Sequence, residues 1–229
     1  MFSLRSDGLR ITLNRAWVRV FGVEEYYLFV RHLAAPAAAV ELPLLVNGVT
    51  LREVQDGDLD EVARLFPFDL LPYGLRDRRR RLQHHLADGF VAVRDGRVVG
   101  AAWYLAQVTP DQSFYAVVQP HVLLPARVTR FLLVIPGEKA AAWVISKHAT
   151  ERLATQGVRT IVSRIPAYNK PSMLVARMLG AKMVGREVAR YRFGCQQWST
   201  EPVGEAQAFN AGTAKDAGRG PARRAPVAS

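Results

Sequence analysis

The sequence predicts an α/β fold whose sheet holds a parallel strand pair crossed by a helix. Three observations carry this. Phe131-Leu132-Leu133-Val134-Ile135 is a continuous apolar run stopped by Pro136-Gly137, the pattern of a buried strand ended by turn residues. Lys139 to Gln156 then runs without Gly or Pro and closes on Gly157, the pattern of a helix with a glycine C-cap. Val158-Arg159-Thr160-Ile161-Val162 is a second, β-branched run. A strand, a helix and a strand in that order form a crossover unit, so the two strands should lie parallel.

The remaining elements follow in chain order. Met1 to Arg10 carries Arg5, Asp7 and Arg10 and has no long apolar core, so it does not read as a signal peptide. Ile11 to Val20 has helical spacing, Glu25 to Val30 reads as a strand, and Pro36 to Pro43 as a linker. Val49 to Val54 is a strand, followed by an acidic-capped helix from Asp56-Gly57-Asp58. Phe90 to Ala101 reads as a hairpin turning at Asp95-Gly96. Val117-Val118 and His121 to Leu124, with a Pro125-Ala126 turn, suggest a second hairpin leading into the strand that ends at Val134. Tyr168 to Ser172 opens a short helix closed by Gly180, and Met183-Val184-Gly185 starts a last strand. From Ser199 the composition shifts to Gly, Ala, Pro and Ser, too poor in large apolar groups to offset the entropy of ordering, so 199–229 is expected to be disordered.

Bulk composition narrows the function. At 229 residues and 49% hydrophobic, the chain can bury one sizeable core. The single cysteine, Cys195, excludes a disulfide framework and a multi-cysteine zinc site, and no metal is assigned. That cysteine usage fits a cytoplasmic location. The apolar stretch Leu33 to Val49 is broken by Pro36, Glu41 and Pro43, so no membrane span is expected. The net charge of +11 invites nucleic acid, but the densest run, Arg78 to Arg81, sits among Leu75, Leu82 and Leu86 at helical spacing. A solvated helix face explains it better than a nucleic-acid groove. A basic surface also suits anionic small ligands.

The order of these elements resembles the GNAT N-acetyltransferase superfamily. The opening strand and acidic helix at Val49 to Asp60, the Phe90–Ala101 hairpin, the strand–turn–helix at Phe131 to Gln156, and Asn169, Ser172 and Leu179-Gly180 match its pattern over about Val49 to Phe193. The resemblance implies a mixed, mostly antiparallel twisted sheet flanked by helices, with a central parallel pair. It makes 1–48 an N-terminal extension of helix plus strand, 49–198 an acyltransferase domain and 199–229 a tail. It further implies acetyl-coenzyme A (or another acyl-CoA) as cofactor and a small-molecule or peptide amine as acceptor. A homodimer is left open.

By the same resemblance, the cofactor turn is Lys139-Ala140-Ala141-Ala142-Trp143-Val144. Lys139 supplies a positive charge where the superfamily carries Arg or Gln, while Ala142 and Val144 stand where glycines are usual. Helix N-terminal amides bind phosphate, and alanine still donates one. Leu132, Leu133 and Val134 would offer their backbone to the pantetheine arm. Asn169 and Ser172 would lie near the cofactor, although an Asn before Pro171 is also a good N-cap. The tyrosine that many members place seven residues after the Asn is Ala176 here. Tyr168, next to the site, and His121, whose side chain ordinarily titrates near neutrality, are the remaining candidates for proton transfer. Glu138 in the turn would repel phosphate unless it points away. The acceptor would lie among Phe66 to Arg76 and Val108 to Gln119. The missing glycines and tyrosine leave a second reading open, a non-catalytic binding or scaffold module of the same fold.

Overall fold

The computed structural model describes residues 22–35, 39–65, 88–106, 114–192 and 195–203. The strands are β1 (Val23–His32), β2 (Leu44–Val46), β3 (Val49–Glu53), β4 (Gly89–Arg94), β5 (Arg97–Leu105), β6 (Ala126–Val134), β7 (Thr160–Pro166), β8 (Lys182–Arg192) and β9 (Cys195–Pro202). They form one nine-stranded sheet in the order β2-β3-β4-β5-β6-β7-β1-β8-β9. Every pairing is antiparallel except β6 with β7, which is parallel as expected.

Helix α1 (Asp58–Leu65) follows β3, and α2 (Tyr115–Val118) precedes a short 3₁₀ turn, Gln119–His121. Helix α3 is the crossover, continuous through Lys139–Val144, a π-helical turn Ile145–Ala149 and Thr150–Thr155. Helix α4 is Lys170–Met178, capped by Asn169 accepting from the Ser172 amide at 3.2 Å. No helix among the described residues is long and apolar enough to cross a membrane.

Alternation along the strands divides the core between the two faces of the sheet. Phe90, Ala92, Ala102 and Tyr104 meet Ala141, Val144, Ile145, Ala149 and Leu153 of α3. Their neighbours Val91, Ala101 and Trp103 meet Leu59, Val62 and Ala63 of α1 on the other face. Gly100 lets α3 approach closely: a Cβ there would sit 2.9 Å from the Ile145 side chain and 3.2 Å from the Leu133 carbonyl.

The strand expected at Glu25–Val30 is found as β1, and two other expectations are corrected. β1 pairs with β7 over Tyr26–His32 and with β8 over Val23–Val30, so it lies inside the sheet, and Leu28, Phe29 and Val30 are buried. The first arm of the hairpin expected at 117–134 is helix and 3₁₀ turn through His121 instead, while the second arm, Arg127 to Val134, is found within β6. β6 already has β5 on one edge and β7 on the other, and Pro120 lacks the N–H that a ladder needs, so Val118 packs as a helical residue against Leu28, Phe114 and Val162. Ser199–Pro202 continues β9, so the ordered chain runs past the expected tail boundary. The helix expected at Ile11 to Val20, the Arg78–Arg81 run and 204–229 lie outside the described residues.

Candidate functional site

The parallel pair comes apart. β6 and β7 are bonded only from Ala126↔Thr160 to Thr129↔Ser163, and a hydroxyl contact of 3.0 Å joins Thr129 and Ser163 at this last rung. Beyond it β7 stays with β1, through Tyr26↔Pro166, Tyr27↔Ile165 and Leu28↔Arg164. β6 stays with β5, through Ala102↔Leu132, Ala101↔Leu133 and Gly100↔Val134. The edge of β6 facing β7 is therefore open from residue 130 onward. Leu132, Leu133 and Val134 are half-buried rather than fully buried because they border this opening. The fork holds a cleft of about 1330 Å³.

Helix α3 starts at the mouth of the fork. Pro136-Gly137 ends the strand run, with Gly137 at φ +95°. The Ala142 amide donates to the Glu138 carbonyl at 3.2 Å, so the helical ladder begins there, and the Ala140 and Ala141 amides precede it. Lys139 and Ala142 line the cleft. Glu138 turns away to pair with Arg94 at 3.0 Å, which removes the expected repulsion. Across the cleft, Tyr168, Asn169, Lys170 and Ser172 at the start of α4 form the facing wall.

Among the described residues, the cleft lining includes Arg31, Arg130, Lys139, Arg164 and Lys170 and no Asp or Glu. Arg31 reaches from β1 to the π turn, donating to the Ser146 carbonyl at 3.3 Å and to Thr150 Oγ1 at 2.9 Å. Burial lowers its pKa, opposed by Tyr104 and Glu151. Tyr104, fully enclosed beside the rung (Tyr104↔Thr129), stays protonated well above the usual phenol range because burial disfavours the phenolate.

Comparison with solved structures identifies this architecture. A GCN5-related N-acetyltransferase from Sphaerobacter thermophilus superposes with a TM-score of 0.53 at 14% identity, covering 86% of this chain and 56% of that one. The chain has the GNAT fold. A protein from Drosophila matches at TM-score 0.50 and 14% identity, over 85% of this chain and 56% of that one. A ribosomal-protein-alanine N-acetyltransferase from Brucella melitensis matches at 0.46 and 16%, over 67% and 99%. The chain thus spans just over half the length of the first two. No family model and no curated protein matches the sequence.

Within this GNAT fold, the sequence-predicted residues separate into two groups. Leu132, Leu133, Val134, Lys139, Ala142, Tyr168, Asn169 and Ser172 all line the one cleft. Ala141 and Val144 do not; their side chains are fully buried in the α3 core, and Ala140 packs against the same cluster. Val144 therefore replaces a glycine position with a core contact, and neither it nor Trp143 lines the cleft. The Trp143 and Val144 amides fall inside the helical ladder, which leaves Ala140 and Ala141 as the amides open to an anion. His121 ends an exposed 3₁₀ turn and does not line the cleft. Ala176 does line it, so the position that lacks a phenol is in place. Tyr104, Arg31, Arg130 and Arg164 were missed. Only arginine content hinted at the last three, and only the strand order brings them together.

Proposed function

We propose that the chain is an acyl-CoA-dependent N-acyltransferase that moves an acyl group, acetyl in the simplest case, to an amine. The carrying observation is the open β6 edge past the Thr129–Ser163 rung, which faces a cleft with Lys139 and the first amides of α3 at its mouth. An amide-bearing arm can pair with residues 130–134 as an added strand. A phosphate fits at Lys139 and the Ala140 and Ala141 amides. The residues present fit such a ligand, because Glu138 is paired away and Ala142 places no more than a methyl in the cleft.

The thioester supplies an activated acyl group: its C–S bond breaks as the C–N bond forms, the nitrogen loses a proton and the sulfur gains one. Tyr168, at the mouth, is the candidate proton donor in place of Ala176, and Tyr104 beside the rung, whose burial disfavours the phenolate, can donate a hydrogen bond to the sulfur without losing its proton. No carboxylate among the described lining residues can take the amine's proton. The acceptor therefore reacts from its neutral form, and the rate should climb with pH toward the acceptor's own pKa.

Calorimetry with acetyl-CoA, followed by thiol release in the presence of amines, tests this reading. The expectation is binding that weakens in Lys139→Ala and less so in high salt. Absence of binding at millimolar ligand would sink the reading. Binding without thiol release to any amine would leave the non-catalytic module.

A further inference from the structure

The rung that ends the β6–β7 pairing carries a second pattern. The residue directly past it is arginine on both arms of the fork, Arg130 after Thr129 and Arg164 after Ser163. Thr129 and Ser163 touch each other and share the face of Tyr104, which packs with α3. Successive strand residues point to opposite faces, so Arg164 stands with Val162 and Leu28 on the face away from α3, while Arg130 is the extra residue of a β-bulge, where Trp103↔Phe131 gives way to Tyr104↔Thr129, and lines the same cleft. Ile165, one residue on, packs with Met173 and Ala176 of α4, which puts α4 on the α3 side too. Lys139 and Lys170 thus serve one side of the sheet and Arg164 the other, with Arg130 directly past the rung on the open arm.

Arg164 is held rigid for such a role. Its guanidinium lies 3.9 Å from the Tyr26 ring centroid and 4.2 Å from that of Trp198. Buried Glu187 pairs with its Nε edge. Its Nη groups have no hydrogen-bond partner among the described residues, and Nη2 is among the buried orphans. The other carboxylate in this aromatic group, Glu24, is occupied by the Tyr26 and Tyr191 hydroxyls at 2.8 and 3.0 Å. Arg130 is exposed and has no ion-pair or hydrogen-bond partner among the described residues. Glu187 and Glu24 balance the charges of the two arginines, and the guanidinium Nη groups are the hydrogen-bond donors left for a ligand.

We propose that the acceptor is an amine bearing its own carboxylate, a free amino acid or a small relative of one, and that Arg130 and Arg164, one on each arm of the fork, receive that carboxylate. This rests on the acyl-CoA reading above. Planar guanidinium groups suit a carboxylate, and one on each arm would hold the amine over the rung. The cleft lining, with five Arg and Lys and no Asp or Glu among the described residues, disfavours polycationic acceptors.

The test uses the full chain with acetyl-CoA and matched acceptors: glycine, leucine, phenylalanine and glutamate, the carboxamide of each, and spermidine. Acetyl-CoA affinity is measured first by calorimetry, and thiol release then gives kcat/KM for each acceptor. The expected result is at least a tenfold preference for acids over amides, with spermidine poorest. Arg130→Gln should raise the acceptor KM and cut that preference about tenfold, the scale of one charged hydrogen bond, with acetyl-CoA affinity within twofold of wild type. Arg164→Lys keeps the charge and loses the planar fork, and should cut it less. Acetyl-CoA that binds, with amides or spermidine equal to the acids or no acid acetylated, overturns the acceptor proposal alone. A preference unchanged in Arg130→Gln does the same. Acetyl-CoA that fails to bind overturns the cofactor reading and this proposal with it.

Discussion

The two walls of the cleft are built differently. The β6 wall is a strand with one edge left open and half-buried side chains, continued by a helix N-terminus. The β7 wall has its far edge fully bonded to β1 over Tyr26–His32, and β1 is backed in turn by β8. An unpaired edge invites closure by the neighbouring strand. Here β7 past Ser163 is committed to β1 instead, so the fork stays open. An open edge on one wall depends on a partner strand behind the other.

Breaking the partner strand should have the largest effect. Phe29 is fully buried in β1, and Phe29→Ala should cost about 3–5 kcal/mol in chemical denaturation. A cost under about 1 kcal/mol would make β1 a dispensable addition. The helix that continues the open wall offers a contrast between its two former glycine positions. Val144→Gly should cost about 3 kcal/mol, since it removes a buried side chain and adds a helix penalty, without improving binding. Ala142→Gly should cost about 1 kcal/mol at most and tighten acetyl-CoA binding severalfold, because only this methyl lines the cleft. Equal effects at the two positions would refute the division between core and cleft.

Next comes Tyr104→Phe, which removes a hydrogen-bond donor and is expected to lower kcat about 100-fold at unchanged acetyl-CoA affinity. The same variant tests the pH dependence. The folded pKa of Tyr104 is raised above its unfolded value of 10.0, so the neutral phenol's contribution is complete below pH 10 and is lost as pH rises beyond it. Stability should fall by about 1.4 kcal/mol per pH unit from this group alone, and Tyr104→Phe should remove that share. An identical alkaline slope in the variant, measured by melting between pH 9 and 11, would count against an enclosed phenol. The smallest effect is expected at the exposed mouth. Lys139→Ala should weaken acetyl-CoA about fivefold in low salt and less in high salt. Salt-independent loss would mean that Lys139 acts through packing.

Much of the open wall was legible in the sequence. The apolar run before Pro136-Gly137, the helix that stops at Gly157 and the Asn169 cap are local patterns, and each is found where the chain predicts it. β2 was legible but overlooked: Asn47-Gly48, with φ of 51° and 72°, is the two-residue turn that joins Val46 to Val49. The valines at 117–122 misled because a β-branched run resembles a strand whether or not a free sheet edge exists to receive it.

By itself the sequence determined the elements with local causes: strand runs bounded by turn residues, helix ends, the crossover that makes β6 and β7 parallel, and a cation at the start of α3. Only the tertiary structure decided where β1 inserts, and with it the point at which the parallel pair parts. It also placed Tyr104, Arg130 and Arg164 around a single rung. Strand order is a choice among partners far apart in the chain, made by the summed packing of both sheet faces. No short window of residues encodes it.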